Sequence, residues 1–227
     1  LNLPIYLLGG MWGTLFLTQI YHYSPVKAGM VAGMVFFGTI FGSPAMGWIS
    51  DRLGRRKLPM LVSGFIALAA VLIIIYVPNL SYVSLLLLFF LLGFITSAQV
   101  ISYPMVAESN PRALTGTAVS IVSLSVVLGG AIMQPVSGWV LDLGWTGKMA
   151  NNVHYYSLAA YQHAMLIFPI AFIIGLIAVC FMKETNCKRY DETDTLVAGD
   201  GHHASSTKTV SDDSESPDVN NEQLSCV

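Results

Sequence analysis

The stretch Gly47-Trp48-Ile49-Ser50-Asp51-Arg52-Leu53-Gly54-Arg55-Arg56-Lys57 lies between two long apolar runs, and its reading decides the fold. Five of the eleven Lys and Arg residues fall in it or close by: Lys27 at the start of the preceding run, then Arg52, Arg55, Arg56 and Lys57. A dense basic loop between membrane-length segments marks the cytoplasmic side. Gly47 and Gly54 suit close backbone approach at a tight helix–loop–helix junction. Asp51 is a short carboxylate at the end of a span, able to accept hydrogen bonds from a neighbouring helix N-terminus, whose partial positive charge favours an anion. The arginines can hold carboxylates or lipid phosphates in bidentate fashion. A loop that only sets topology accounts for the arginines but not for the Gly–Asp–Gly spacing.

Working outward, the 227-residue chain is 54% hydrophobic and 11% charged, with a mean hydropathy of +0.64. Soluble domains carry about 25% charged residues, so this is a membrane composition. The net charge of −2 conceals two regions: ten of thirteen acids follow residue 183, leaving only Asp51, Glu108 and Asp142 before it. Six windows reach the length of about 20 apolar residues that a membrane helix needs: 3–21, 26–50, 59–77, 82–106, 115–141 and 162–182. They are too long for strands and lack the alternation of a membrane barrel, and backbone groups in lipid must be satisfied within the segment. The expected fold is therefore all-α, a bundle of six transmembrane helices. Tyr23-Ser24-Pro25, Pro78-Asn79 and Ser109-Asn110-Pro111 punctuate it as turns. The connector at about 142–161 is longer, and its Trp145, Tyr155, Tyr156 and Tyr161 suit a membrane–water interface.

Nine basic residues lie on the side of loops 51–58 and 107–114 and the region after 182, against Lys27 and Lys148 on the other, which directs the C-terminus to the cytoplasm. Residues 186–227 are acidic, polar and poor in aromatics, so disorder is expected there. His202-His203 lack a third ligand, and no metal or cofactor is expected. Cys180, Cys187 and Cys226 have neither CxxC nor Cys/His spacing, so no disulfide framework is expected. The opening Leu1-Asn2-Leu3-Pro4 does not read as a signal peptide; residue 1 is expected inside or beside a span, in a segment of a longer protein or a truncated frame.

The 47–57 run resembles the cytoplasmic signature loop of the major facilitator superfamily, G-x-x-x-D-R-x-G-R-R-K, at Gly47, Asp51, Arg52, Gly54, Arg55, Arg56 and Lys57. In that family the loop joins the second and third helices of each six-helix half, as it does among the six windows here. The resemblance implies that Asp51 is a conformational latch against the fifth helix of the half, near Thr115-Gly116-Thr117. The segment Leu128-Gly129-Gly130-Ala131-Ile132-Met133-Gln134-Pro135-Val136-Ser137-Gly138 looks like the family's fifth helix, although ordinary small-residue packing explains most of it. Phe181-Met182-Lys183-Glu184-Thr185 is similar to the family's ending after the final helix. Together these imply that residues 1–185 are the C-terminal half of a twelve-helix transporter and 186–227 its tail, with an N-terminal six-helix half, or a second copy of this chain, as partner.

In this family the first and fourth helices of a half line the cavity, which nominates Trp12, Gln19, Gln99 and Tyr103, with Gln134 from the fifth. Polar groups at membrane depth face protein or water, and glutamine offers both donor and acceptor. Two roles stay open for Gln19 and Gln99, solute contact or helix–helix hydrogen bonding. Serines and threonines in the spans read mainly as packing residues, and Trp12 more as packing than as a substrate platform. The central parts of the windows hold no ionisable side chain, so any proton-coupling carboxylate is expected in the other half. The resulting expectation is secondary active transport of a small polar solute, as symporter or uniporter, in a plasma or bacterial inner membrane in contact with lipid. Its alternatives are a non-transporting membrane protein such as a sensor, assembly partner or inactive remnant, and a half-size transporter acting as a homodimer. The chain offers no nucleophile–base pair, metal cluster or phosphate loop for an enzyme. Its few basic residues lie at the membrane surface, which argues against nucleic acid as a partner.

Overall fold

The computed structural model describes residues 2–77, 79–147, 149–150, 153–182 and 184–185. The expected disordered tail, with His202-His203, lies outside these residues. A π-helix over Ile5–Met11 runs into α1 (Trp12–Ile20). Then come α2 (Pro25–Leu53), α3 (Lys57–Tyr76), α4 (Tyr82–Thr96) and α5 (Ser102–Glu108), the last two joined by a 3-10 turn at Ser97–Ile101. A 3-10 turn at Arg112–Leu114 opens α6 (Thr115–Leu143), and α7 (Leu158–Met165) continues past Leu166 into α8 (Ile167–Phe181). Between α6 and α7 a small hairpin pairs Met149 with His154 and Ala150 with Val153. The architecture is helical, and among the described residues five helical segments are long and apolar enough to cross a membrane: 25–53, 57–76, 82–108, 112–143 and 158–181. In the window at 3–21 the seven-residue π-helix and the nine-residue α1 follow one another without a break.

Local chemistry explains the boundaries. Ser24 caps α2 by accepting from the Lys27 N–H, Pro25 occupies the first helical position, and Gly54 stops the helix in the left-handed conformation at φ 61°. Glycine is the residue that takes this conformation without strain, and here it turns the chain into α3. The π-helix closes where side chains are missing. A Cβ added at Gly13 would sit 1.9 Å from the Leu8 carbonyl oxygen, five residues back. Such wide turns inside helices often occur at functional sites.

The tightest crossing is α2 on α4. A Cβ on Gly93 would lie 2.0 Å from the Val35 carbonyl oxygen, and one on Gly38 2.1 Å from that of Phe90. Small residues let these backbones approach, which substitutes in lipid for the hydrophobic drive available in water. Val31, Val35, Leu85, Phe89 and Leu92 fill the surrounding core. Outward faces are apolar, with Phe37, Phe41, Trp139, Ile174 and Phe181 exposed. Only 6% of the apolar window of α6 is buried, so this helix is left to lipid or to another chain segment.

At the end opposite the 47–57 loop, the interface aromatics do not all face outward. Tyr156 and Tyr161 are buried. They converge on Gln19, whose Oε1 accepts from the Tyr156 N–H (3.1 Å) and the Tyr161 hydroxyl (3.0 Å), while its Nε2 donates to the His154 carbonyl (2.8 Å). Trp145 stacks on His154 at 4.0 Å between centroids. The Tyr156 hydroxyl donates to Asp142 at 2.5 Å. Burial, reinforced by this hydrogen bond, pushes the Tyr156 phenol up to about 12. Gln19 thus ties α1 to the hairpin and α7. Gln19→Leu is expected to accelerate hydrogen exchange of the Tyr156 amide about tenfold, in line with the roughly 1–3 kcal/mol cost of an orphaned buried donor. An unchanged rate would show that the tie does not protect this amide.

Candidate functional site

The signature loop forms a charge cluster centred on one buried cation. The αL turn at Gly54 carries Arg56 back under the end of α2, where it is 5% exposed. Its Nη1 donates to the Ser50 hydroxyl at 3.1 Å and pairs with Asp51. Its Nη2 and Nε grip Glu108, at the end of α5, at 2.6 and 3.2 Å. A guanidinium is suited to this planar, several-armed contact, and a buried cation needs such compensation. Thr185 donates to the other Glu108 oxygen at 2.6 Å. Glu184 accepts from the backbone N–H groups of Arg56 (2.6 Å) and Lys57 (3.0 Å), placing a carboxylate on the N-terminus of α3. Lys57 Nζ in turn donates to the carbonyls of Cys180 (2.5 Å) and Met182 (3.3 Å) at the end of α8. The ends of α2, α3, α5 and α8 are therefore joined in one ionic network.

Two details differ from the sequence reading. The carboxylate on the α3 N-terminus is that of Glu184, while Asp51 is engaged by Arg56. Neither Gly47 nor Gly54 stands at a close backbone approach, since a Cβ on either would meet nothing within 4 Å; Gly54 is required for its dihedral alone. Arg52 lies outside the cluster, its guanidinium 5.2 Å from the Trp48 ring centroid, a cation–π contact, and Arg55 is exposed. Glu108, Glu184, Thr185 and Ser50 complete the network without being assigned to it from sequence. Glu108 carried a signal as one of three acids before residue 183.

The five cavity candidates separate. Gln19 belongs to the clasp at the opposite end of the bundle. Gln134 donates to the Tyr6 carbonyl at 3.3 Å, fastening α6 to the π-helix. Trp12 packs over Gly138, where a Cβ would lie 3.0 Å from its Cζ2, and its buried Nε1 has no hydrogen-bond partner among the described residues. Tyr103 is half-buried on α5 and does not border the main cleft. Gln99 does border it. This open cleft, of about 410 Å³, runs between the π-helix, the 97–101 turn and α6, and its wall includes Tyr6, Gln99, Ser102, Ile121, Ser125 and Gly130. The 3-10 turn sets Gln99 here, following Thr96 and Ser97, whose hydroxyls bond back to Leu92 (2.7 Å) and Phe94 (2.6 Å) carbonyls. Among the described residues no hydrogen bond engages the Gln99 side-chain amide. Most other span hydroxyls bond their own helix, as Ser43 does to Thr39 and Ser125 to Ile121 (2.8 Å each).

Membrane-length helices with lipid-compatible outer faces define a multi-pass integral membrane protein. A family model described as Major Facilitator Superfamily matches residues 3–197, and the chain belongs to that family, one of transporters rather than enzymes. The chain is 29% identical to the arabinose-proton symporter of Bacillus subtilis over 150 residues, 61% of this chain and 31% of that protein. It is 30% identical to D-xylose-proton symporter-like 3, chloroplastic, of Arabidopsis thaliana over 131 residues, 56% of this chain and 23% of the relative. It is 27% identical to the glycine betaine/proline/ectoine/pipecolic acid transporter OusA of Dickeya dadantii over 176 residues, 75% and 31% respectively. The matched stretch thus spans less than a third of each relative.

Proposed function

We propose that this chain is the C-terminal six-helix half of a twelve-helix secondary transporter that moves a small polar solute by alternating access. The π-helix and α1 form the first of its six spans, and the loop at 47–57 with the C-terminus face the cytoplasm. The observation that carries this reading is the Arg56-centred network, which joins the ends of four helices through ion pairs and charge-assisted hydrogen bonds that can break and reform as helices shift. In the family such binding sites lie between two halves near the bilayer midplane. The cleft beside Gln99, with α6 left largely bare, fits one wall of such a site. Its partners are then a small solute, membrane lipid and the N-terminal six-helix half. Asp51, held by Arg56, acts as the latch against the start of α6 at 115–117, with Gly47, Arg52, Gly54, Arg55 and Lys57 shaping and charging the loop. Gln99 contacts the solute.

Arabinose, xylose and glycine betaine are the first solutes to test, since the relatives are named for them. Full-length protein in proteoliposomes is expected to take up at least one, while this chain alone takes up none. Flux of equal size through this chain alone would favour a homodimer of half-size transporters, and no flux through the full-length protein with a broad solute panel would contradict the proposal.

A further inference from the structure

The end of the bundle opposite the 47–57 loop carries an ionisable cluster of its own. Asp142 stands in the last turn of α6, and His154 ends the second strand of the hairpin that follows. The His154 Nδ1 lies 3.5 Å from Asp142 Oδ1 and 3.3 Å from the Tyr156 hydroxyl, which donates to that same carboxylate oxygen. The imidazole stacks on Trp145 with 17° between the planes, which holds it beside the carboxylate. Asp142, from α6, and Tyr156, from the connector to α7, are the titratable groups that face His154. The neutral Gln19 of α1 grips the same segment by its backbone, donating to the His154 carbonyl and accepting from the Tyr156 N–H. His154 therefore has its side chain on α6 and its main chain on α1.

The chemistry of the cluster changes with pH. Histidine is the side chain whose ordinary range places its change of charge between about pH 5 and 8. A neutral imidazole has one ring nitrogen that donates and one that accepts, whereas in the cation both donate. As the pH falls through that range, a positive donor therefore comes to stand beside the Asp142 carboxylate. Tyr156, pushed up to about 12, remains a donor throughout. The side chains of His154 and Asp142 are 40% and 55% exposed, so protons reach them from solvent and the pair has the modest strength of a surface ion pair.

We propose that His154 and Asp142 form a proton-operated fastening: acid pH pairs them and holds the hairpin, the end of α6 and α1 together, and neutral pH loosens the hold. The sign follows from linkage. A cation that gains a partner contributes stability while protonated, and the contribution is lost as the pH rises through the histidine range. Acid therefore favours closure of this end of the bundle. The consequence for transport rests on this end being the extracytoplasmic mouth of the proposed transporter, but the fastening itself does not.

The test is hydrogen exchange of the Tyr156 amide in the full-length protein in nanodiscs, at about pH 5.5 and about pH 7.5, either side of the ordinary histidine midpoint. Each rate is divided by the intrinsic exchange rate at its pH. Both faces of a nanodisc meet the same buffer, so the result depends neither on orientation nor on transport. Protection is expected to be about two- to fivefold higher at the acid pH, the effect of one exposed ion pair. His154→Phe, which keeps a ring against Trp145, and His154→Gln, which keeps a polar contact, are both expected to abolish the difference. Asp142→Asn, which keeps an acceptor for the Tyr156 hydroxyl, is expected to abolish it too. Equal protection of the wild type at the two pH values would overturn the proposal. So would a difference that survives in both His154 variants, which places the proton elsewhere, or one that survives in Asp142→Asn, which removes the pair. The expected response in a full-length protein that takes up no solute would uphold the fastening and count against the transport reading alone.

Discussion

Arg56→Gln is expected to lower solute uptake by the full-length protein at least tenfold and to destabilise it by about 3–5 kcal/mol, the cost of breaking a buried ion pair by removing one partner. Arg56 is 5% exposed and satisfies Asp51, Glu108 and the Ser50 hydroxyl together. Glutamine cannot replace the charge or the fork. Glu108, whose side chain is 14% exposed, is then left as a largely buried anion, with Thr185 its remaining donor among the described residues. The double change Arg56→Gln with Glu108→Gln removes the uncompensated charge as well, and should recover much of the stability without recovering uptake. Thermal unfolding of the purified variants measures the first effect and proteoliposome flux the second. Equal stability of the single and double variants would show that Glu108 does not depend on Arg56.

Gly93→Val is expected to have the largest purely structural effect. An added Cβ would stand 2.0 Å from the Val35 carbonyl oxygen, and the neighbouring atoms are backbone, which cannot rotate away. The helices α2 and α4 must separate, breaking the approach of Gly38 to Phe90 and Gly93 and of Gly42 to Phe94, and loosening Phe89 and Leu92. The cost should exceed the roughly 1–3 kcal/mol of ordinary core overpacking. Membrane-inserted, folded protein, followed by size-exclusion recovery in mild detergent, should fall severalfold. Gly33→Val on the same α2 helix meets nothing within 4 Å and serves as the control, with recovery close to wild type. Equal recovery of the two would contradict the close-packing account.

The α2 boundaries were legible because their signals are local. Ser24-Pro25 caps one end and Gly54 stops the other, and the helix runs from Pro25 to Leu53 where the apolar window spanned 26–50. The interruption at Ser97–Ile101 was not, because hydropathy averages over the window while the 3-10 turn arises from individual hydroxyls and the crossing with α2. For the same reason the π-helix stayed hidden: Gly9, Gly10 and Gly13 permit it, but the register of the following turns decides it. Among the glutamines nominated for the cavity, residue type marked all three alike and only helix rotation separates them. Gln19 turns to the hairpin, Gln134 to Tyr6 and Gln99 to the cleft. The network shows the same limit. Arg56 was visible in the signature, but its grip on Glu108 links positions 52 residues apart, and its tie to Glu184 links positions 128 apart.

The central claim is that the cluster around Asp51 and Arg56 controls transport by latching one conformation. It is tested most directly by solute uptake into proteoliposomes carrying equal amounts of full-length wild type and Asp51→Asn. Asparagine keeps the shape of Asp51 and removes the charge that pairs with Arg56. The account predicts uptake reduced about tenfold or more, with membrane insertion unchanged. Uptake equal to wild type at equal expression would contradict it.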